Sequence, residues 1–164
     1  LCDRRQRQMC IRDSLYAYNK SFDIPYTIFR ICIPYGNMLS TDYSFGTIGF
    51  FIKQAKAGKD ITLYGGGDTK RTFTHMEDLC YQIVQGSMNK DSNGEIYNIG
   101  GQTLSLREAA EFVAKKFKTN VVAVEWPEKD FRIESNHTYF DDTKIRSLLC
   151  IGEYKQLQEF SKDL

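Results

Sequence analysis

Arg71 is the residue of this chain with the most chemistry to offer, because of what precedes it. It follows Gly65-Gly66-Gly67-Asp68 in the stretch I-T-L-Y-G-G-G-D-T-K-R-T-F-T-H-M-E-D, residues Ile61–Asp78. Its guanidinium is a planar fork of donors, the side-chain geometry best matched to phosphate oxygens. The glycines supply a turn in which backbone N–H groups can lie bare. Residue type then sets the flanking elements. Ile61–Tyr64 is a β-branched and aromatic strand candidate, Thr72–His75 alternates like a second strand, and Glu77-Asp78 are acidic where a helix start favours them. Strand, glycine turn, arginine, strand and helix start can together form one wall for a diphosphate. The same residues also suit a β-hairpin with a solvated arginine, since three glycines match no phosphate-loop pattern.

Composition narrows the class. The 164 residues are 41% hydrophobic and 26% charged, which suits one globular domain or part of a larger one. No apolar run approaches the roughly 20 residues of a membrane span, and no secretory leader pattern is present. The five cysteines (Cys2, Cys10, Cys32, Cys80, Cys150) are widely spaced, and His75 and His137 lack ligand-spaced partners. A metal site and a disulfide framework are therefore not expected, and reduced thiols point to the cytoplasm. Net charge is +1, but residues 1–14 hold four arginines against two aspartates and the remainder sums to −1. Nucleic-acid or membrane partners are not expected from that balance.

The elements that position Arg71 can be read outward. Tyr26–Pro34 is apolar except for Arg30 and predicts a strand of a parallel sheet buried on both faces. Met38–Phe45 is a polar connection of the kind that lines a cleft. Thr47–Ala57 predicts a helix burying Ile48, Phe51, Ile52 and Ala55, with Gly58 as its stop. Leu79–Met88 continues a helix with Leu79, Ile83 and Val84 inward, and Glu95–Gly101 reads as a strand. Ser105 and Glu108 form a capping box ahead of a helix with Leu106, Ala109, Ala110, Val113 and Phe117 inward. Val121–Val124 predicts a strand, Pro127–Asp141 an irregular segment, and Thr143–Cys150 and Tyr154–Leu164 two short helices. Residues 1–14 show neither a helical stripe nor strand alternation.

Four of these blocks, in order, resemble the extended short-chain dehydrogenases, the nucleotide-sugar epimerases and dehydratases. Tyr64, Gly65, Gly67, Arg71, Phe73, His75 and Asp78 fit one motif of that family, with Gly66 in place of its usual Asp. Arg30, Tyr35 and Gly36 fit a second, Glu95–Gly101 a third, and Asp141, Lys144, Leu149 and Gly152 a fourth. The resemblance implies an α/β fold: the C-terminal part of a Rossmann-type NAD(P)-binding enzyme with its small substrate-binding domain. It implies NAD or NADP as cofactor, a nucleotide sugar as substrate, and allows a homodimer in the intact protein. Arg71 would then grip the diphosphate, with Tyr64 on the substrate side. Arg132 is a second candidate for the diphosphate, and its rival role is a surface salt bridge with Asp130 or Glu134. Ile31 and Cys32 would lie near the cofactor and Ile33 nearer the sugar nucleotide, where many members have Asn.

Two departures matter. Tyr16 and Lys20 match the Tyr-x-x-x-Lys signature of the family, in which the lysine lowers the tyrosine pKa and the tyrosine moves a hydroxyl proton. Lys20 stands only five residues before Pro25, too close for that role. Family spacing projects the pair onto Arg4 and Gln8, so no catalytic residue is expected in this chain. Arg4–Asp13, RRQRQMCIRD, resembles the one-frame translation of a sequencing-library adapter. The expectation is therefore a non-native segment at 1–14 and the C-terminal portion of an epimerase or dehydratase at 15–164, inactive by itself. The alternatives are a related reductase or dehydrogenase, and a non-catalytic cofactor-sensing relative.

Overall fold

The structure, a computed structural model, describes residues 4–36, 46–127 and 136–164. In chain order the elements are α1 (Arg4–Phe22), β1 (Thr27–Arg30), β2 (Ile33–Tyr35), α2 (Thr47–Lys56), β3 (Ile61–Tyr64), β4 (Lys70–His75) and α3 (Met76–Met88). Then follow β5 (Glu95–Asn98), β6 (Gln102–Ser105), α4 (Leu106–Phe117), β7 (Val121–Val124), α5 (Thr143–Leu149) and α6 (Leu157–Phe160). Met38–Phe45 and Arg132 lie outside the described residues.

The predicted strand Tyr26–Pro34 is in fact two strands in two sheets. β1 pairs in parallel with β5, Thr27 opposite Glu95 and Arg30 opposite Asn98. After Arg30 the chain leaves that sheet, Ile31 becomes 51% exposed, and β2 enters a second sheet in the order β2-β4-β6. β2 runs parallel to β4, with Ile33 opposite Phe73, and β6 runs antiparallel to it. β6 was not expected from the sequence: polar Gln102 and Thr103 beside Gly100-Gly101 look like loop. The hairpin alternative also fails. β3 pairs with β7, and β4 pairs elsewhere, so the glycine turn joins strands of different sheets.

Two cores hold these sheets. The larger one packs β2, β4 and β6 and the β3–β7 pair against α2 and α4, through Tyr35, Ile52, Ile61, Phe73, Leu104 and Val113. Each fully buried side chain such as Phe73 or Ile52 contributes about 1.5–3 kcal/mol. α2 buries the four residues expected of it. α4 starts at the Ser105–Glu108 capping box, a device whose loss costs about 1 kcal/mol. The smaller core joins Leu79, Tyr97, Ile99 and Ile145, laying α3 and α5 on β1 and β5.

Three further expectations need correction. Val84 is 51% exposed, and Gln82 and Gly86 take the inward positions of α3, Gly86 lying against the Phe29 ring. Of Tyr154–Leu164 only Leu157–Phe160 is α-helical, followed by a 3-10 turn. Segment 4–14 is helical and continuous with Leu15–Phe22. Its described side chains are exposed apart from half-buried Arg12, which is why no apolar periodicity marks it. Among the described residues no helix is long and apolar enough to cross a membrane.

Candidate functional site

The site forms where the chain passes from the first sheet to the second. Ile31, Cys32 and Ile33 line a cavity of about 250 Å³ together with Arg71, Thr72, Thr138 and Phe140. Four of the six residues singled out from sequence thus meet in one place. β4 presents Arg71 there because β2 pairs only with Phe73–His75, leaving the same edge of Lys70–Thr72 open. Residues 137–140 fill that edge. Lys70 N–H donates to His137 Nδ1 (3.1 Å), Thr138 N–H donates to Lys70 O (3.0 Å), and Phe140 N–H donates to Thr72 Oγ1 (2.9 Å).

Arg71 is anchored by this arrangement. Its Nη1 donates to the carbonyl oxygens of Lys70 (2.9 Å) and Asn136 (2.8 Å). These two carbonyls hold the guanidinium at the cavity wall. Opposite it, Cys32 Sγ bonds Thr74 Oγ1, and Thr74 Oγ1 donates to Gly100 O (2.8 Å). A threonine hydroxyl has one hydrogen, so the thiol is the donor in the first bond. Burial pushes the Cys32 thiol pKa up, and the Asp142 carboxylate adds to this. Cys32 is therefore a fixed, protonated donor turned toward Thr74.

A larger cleft of about 520 Å³ adjoins the cavity, sharing Ile31 and Phe140 with it. Its walls are Gln8, Ile11, Arg12 and Leu15 of α1 and Ile28, Phe29 and Arg30 around β1. Tyr16 and Lys20 are not among them. Lys20 Nζ lies 5.7 Å from the centroid of the Tyr16 ring, and that tyrosine is 58% exposed. Gln8, onto which family spacing projects a catalytic lysine, does face the cleft.

Tyr64 and the glycine turn lie apart from both spaces. Tyr64 packs against Trp126 in a tilted ring pair, centroids 5.0 Å apart at 31°. A Cβ on Gly67 (φ +78°) would come within 2.5 Å of Leu63 Cδ1 and 3.1 Å of the Arg107 backbone nitrogen. Glycine is thus required there by backbone conformation and close packing. Thr72, Thr138 and Phe140 are the lining residues that sequence reasoning missed. Thr138 and Phe140 sit in a segment without periodicity, so no local signal marked them. Among the described residues no group of His, Cys, Asp or Glu is placed to hold a metal ion.

Residues 7–100 match the NAD dependent epimerase/dehydratase family. The chain therefore belongs to that family, whose cofactor is NAD. It is 30% identical over 112 residues to a UDP-N-acetyl-alpha-D-glucosaminuronate decarboxylase of Bacillus cytotoxicus, covering 68% of this chain and 33% of that one. It is 34% identical over 87 residues to the uncharacterized UDP-glucose epimerase YtcB of Bacillus subtilis, covering 52% and 26%. A UDP-glucuronic acid 4-epimerase from Bacillus cereus, solved with UDP-glucuronic acid and NAD, superposes with a TM-score of 0.74 at 25% identity, over 90% of this chain and 46% of that one. The fold is accordingly the Rossmann-like α/β fold of the extended short-chain dehydrogenases. The chain spans about a third of the length of the first of these relatives and less than half of the solved enzyme. The family match begins inside segment 1–14.

Proposed function

We propose that this chain is the sugar-nucleotide-binding half of an NAD-dependent nucleotide-sugar epimerase or dehydratase, with one wall of its nicotinamide site. The observation that supports this reading is the meeting of Ile31, Cys32, Ile33 and Arg71 in one cavity that opens beside a larger cleft. NAD in such a site supplies reversible removal and return of a hydride at a sugar carbon.

The residues present fit the nicotinamide end of the cofactor. Ile11, Leu15, Ile28, Phe29, Ile31 and Phe140 give the larger cleft apolar walls that exclude water from a flat ring. In the adjoining cavity Arg71 binds the diphosphate by charge and orients the sugar toward Ile31. Among the described residues, the polar groups that α1 turns to the cleft are an amide, Gln8, and a guanidinium, Arg12. Neither is among the side chains that serve as general acids or bases. Proton transfer and the grip on the cofactor pyrophosphate are therefore assigned to other parts of the intact protein, and this chain by itself is inactive.

Amide chemical shifts of the chain, followed during titration with UDP-glucose and dTDP-glucose, test the assignment. Shifts concentrated at Ile31–Ile33, Arg71–Thr72 and Thr138–Phe140 are expected. Saturable shifts confined to the Tyr64–Trp126 region would contradict it.

A further inference from the structure

α4 and the C-terminal turn enclose a separate cavity of about 420 Å³, lined by Phe112, Lys115, Lys116, Gln158, Ser161 and Lys162. It shares no lining residue with the cavity at Arg71 or the cleft beside it. Its volume falls within the roughly 300–1,000 Å³ of small-molecule sites. Three lysines and no carboxylate line it. Lys115 and Lys116 alone would be ordinary, because cations suit the last turn of a helix. Lys162 comes from a different element, 46 residues beyond Lys116, and meets the same space. Lys116 Nζ donates to Lys162 O (2.5 Å), which fixes one ammonium group at the seam between the two elements. The carboxylates of Glu111, Glu159 and Asp163 flank these positions in the chain and are exposed. Among the described residues, none of them forms an ion pair with any of the three lysines. Like charges around one cavity repel, and an anion that enters removes the repulsion. The exposed Gln158 amide adds N–H donors, and Phe112, packed on the larger core, supplies an apolar wall.

We propose that this cavity is a second ligand site, for a phosphorylated small molecule with a flat apolar body, such as a nucleoside diphosphate. Lysine meets phosphate as a compact point charge, and three lysines match a group that carries several negative charges. Phe112 favours a ring beside the phosphates over further phosphate. A ligand held by Lys115 and Lys162 together ties the C-terminal turn to α4 and stabilises their packing. The site is independent of the nucleotide-sugar reading above, and either can fail without the other.

The experiment follows amide chemical shifts of this chain during titration with ADP, pyrophosphate and adenosine. Saturable ADP shifts are expected at Phe112, Lys115, Lys116 and residues 158–162. Pyrophosphate is expected to bind about tenfold more weakly, the scale of one base against an aromatic ring. Adenosine, without the charge, is expected to lose at least about tenfold. Lys115→Gln combined with Lys162→Gln changes two exposed side chains, so the melting temperature without ligand is expected to hold while ADP binding weakens at least about tenfold. Absence of saturable ADP shifts, shifts at Ile31–Ile33 and Arg71 instead, or equal ADP affinity in the double variant would overturn the proposal. Binding of phosphatidylserine vesicles without any ADP shift would overturn it in favour of a membrane surface. Pyrophosphate binding as tightly as ADP would overturn the assignment of an apolar body. The wild-type titrations decide the matter even if the double variant does not fold, and a UDP-glucose titration in the same spectra reads the Arg71 site separately.

Discussion

Cys32 and Thr74 are joined by a hydrogen bond that ties the crossing between the two sheets to β4, and Thr74 passes its own proton to Gly100 O. The bond fixes the wall of the cavity from behind. Thr74 is buried, and Thr74→Val removes the acceptor of the thiol and the donor to the carbonyl together. A loss of about 1–3 kcal/mol of stability is expected, read from the midpoint of urea unfolding. A change under half that range would show the relay to be idle.

The same burial makes Cys32 the slowest thiol among the described cysteines. Cys10, Cys80 and Cys150 are exposed, whereas Cys32 is half-buried with its pKa raised by burial. Alkylation follows the thiolate fraction and access. Mass spectrometry after limited iodoacetamide treatment near pH 8 is expected to find Cys32 labelled last. Labelling of Cys32 first would mean an open, activated thiol.

His75 predicts a pH dependence of stability. It caps α3, accepting the Glu77 N–H through Nδ1 at 3.3 Å, which requires the neutral ring. Burial lowers its pKa, with Lys155 acting the same way and Glu77 and Asp78 opposing. A histidine held below its unfolded value contributes stability that is present above about pH 6.5 and declines as pH falls through the folded value. The melting temperature is expected to hold level above about pH 7 and to fall below about pH 6.5. In His75→Asn, which keeps a capping acceptor, that slope should vanish. Identical slopes in the two proteins would assign the dependence to other groups.

Gly100 is where two elements close on a strand end. A Cβ there would lie 1.8 Å from the Tyr154 hydroxyl and 2.2 Å from Asp142 Oδ2, which themselves bond at 2.6 Å. Arg146 Nε holds the same carboxylate at 2.9 Å. Gly100→Ala is expected to cost about 1–3 kcal/mol through overpacking, measured by chemical denaturation. A neutral effect would mean that the Tyr154–Asp142 pair moves aside freely.

Local physics made some of this legible and hid the rest. α2 and α4 followed from sequence because a cap and a 3.6-residue stripe are written in neighbouring residues. The break after Arg30 was hidden because Ile31-Cys32 is as apolar as the strands on either side. The partners of β3 and β4 were hidden because pairing joins residues such as Ile61 and Val121, far apart in the chain. At the site, Ile31, Cys32, Ile33 and Arg71 were carried by family resemblance, and spacing alone left Arg71 between a diphosphate and solvent. Thr138 and Phe140 became visible only once residues 137–140 were seen lying along β4.

The grip of Arg71 on the diphosphate is the central claim, and calorimetric titration of wild type and Arg71→Ala with UDP and a UDP-sugar tests it most directly. The account predicts weakening by about 1.5–3 kcal/mol for both ligands, the scale of a charge-assisted hydrogen bond, with NAD affinity of the intact protein barely changed. Equal losses for NAD and the sugar nucleotide, or no loss for UDP, would contradict it.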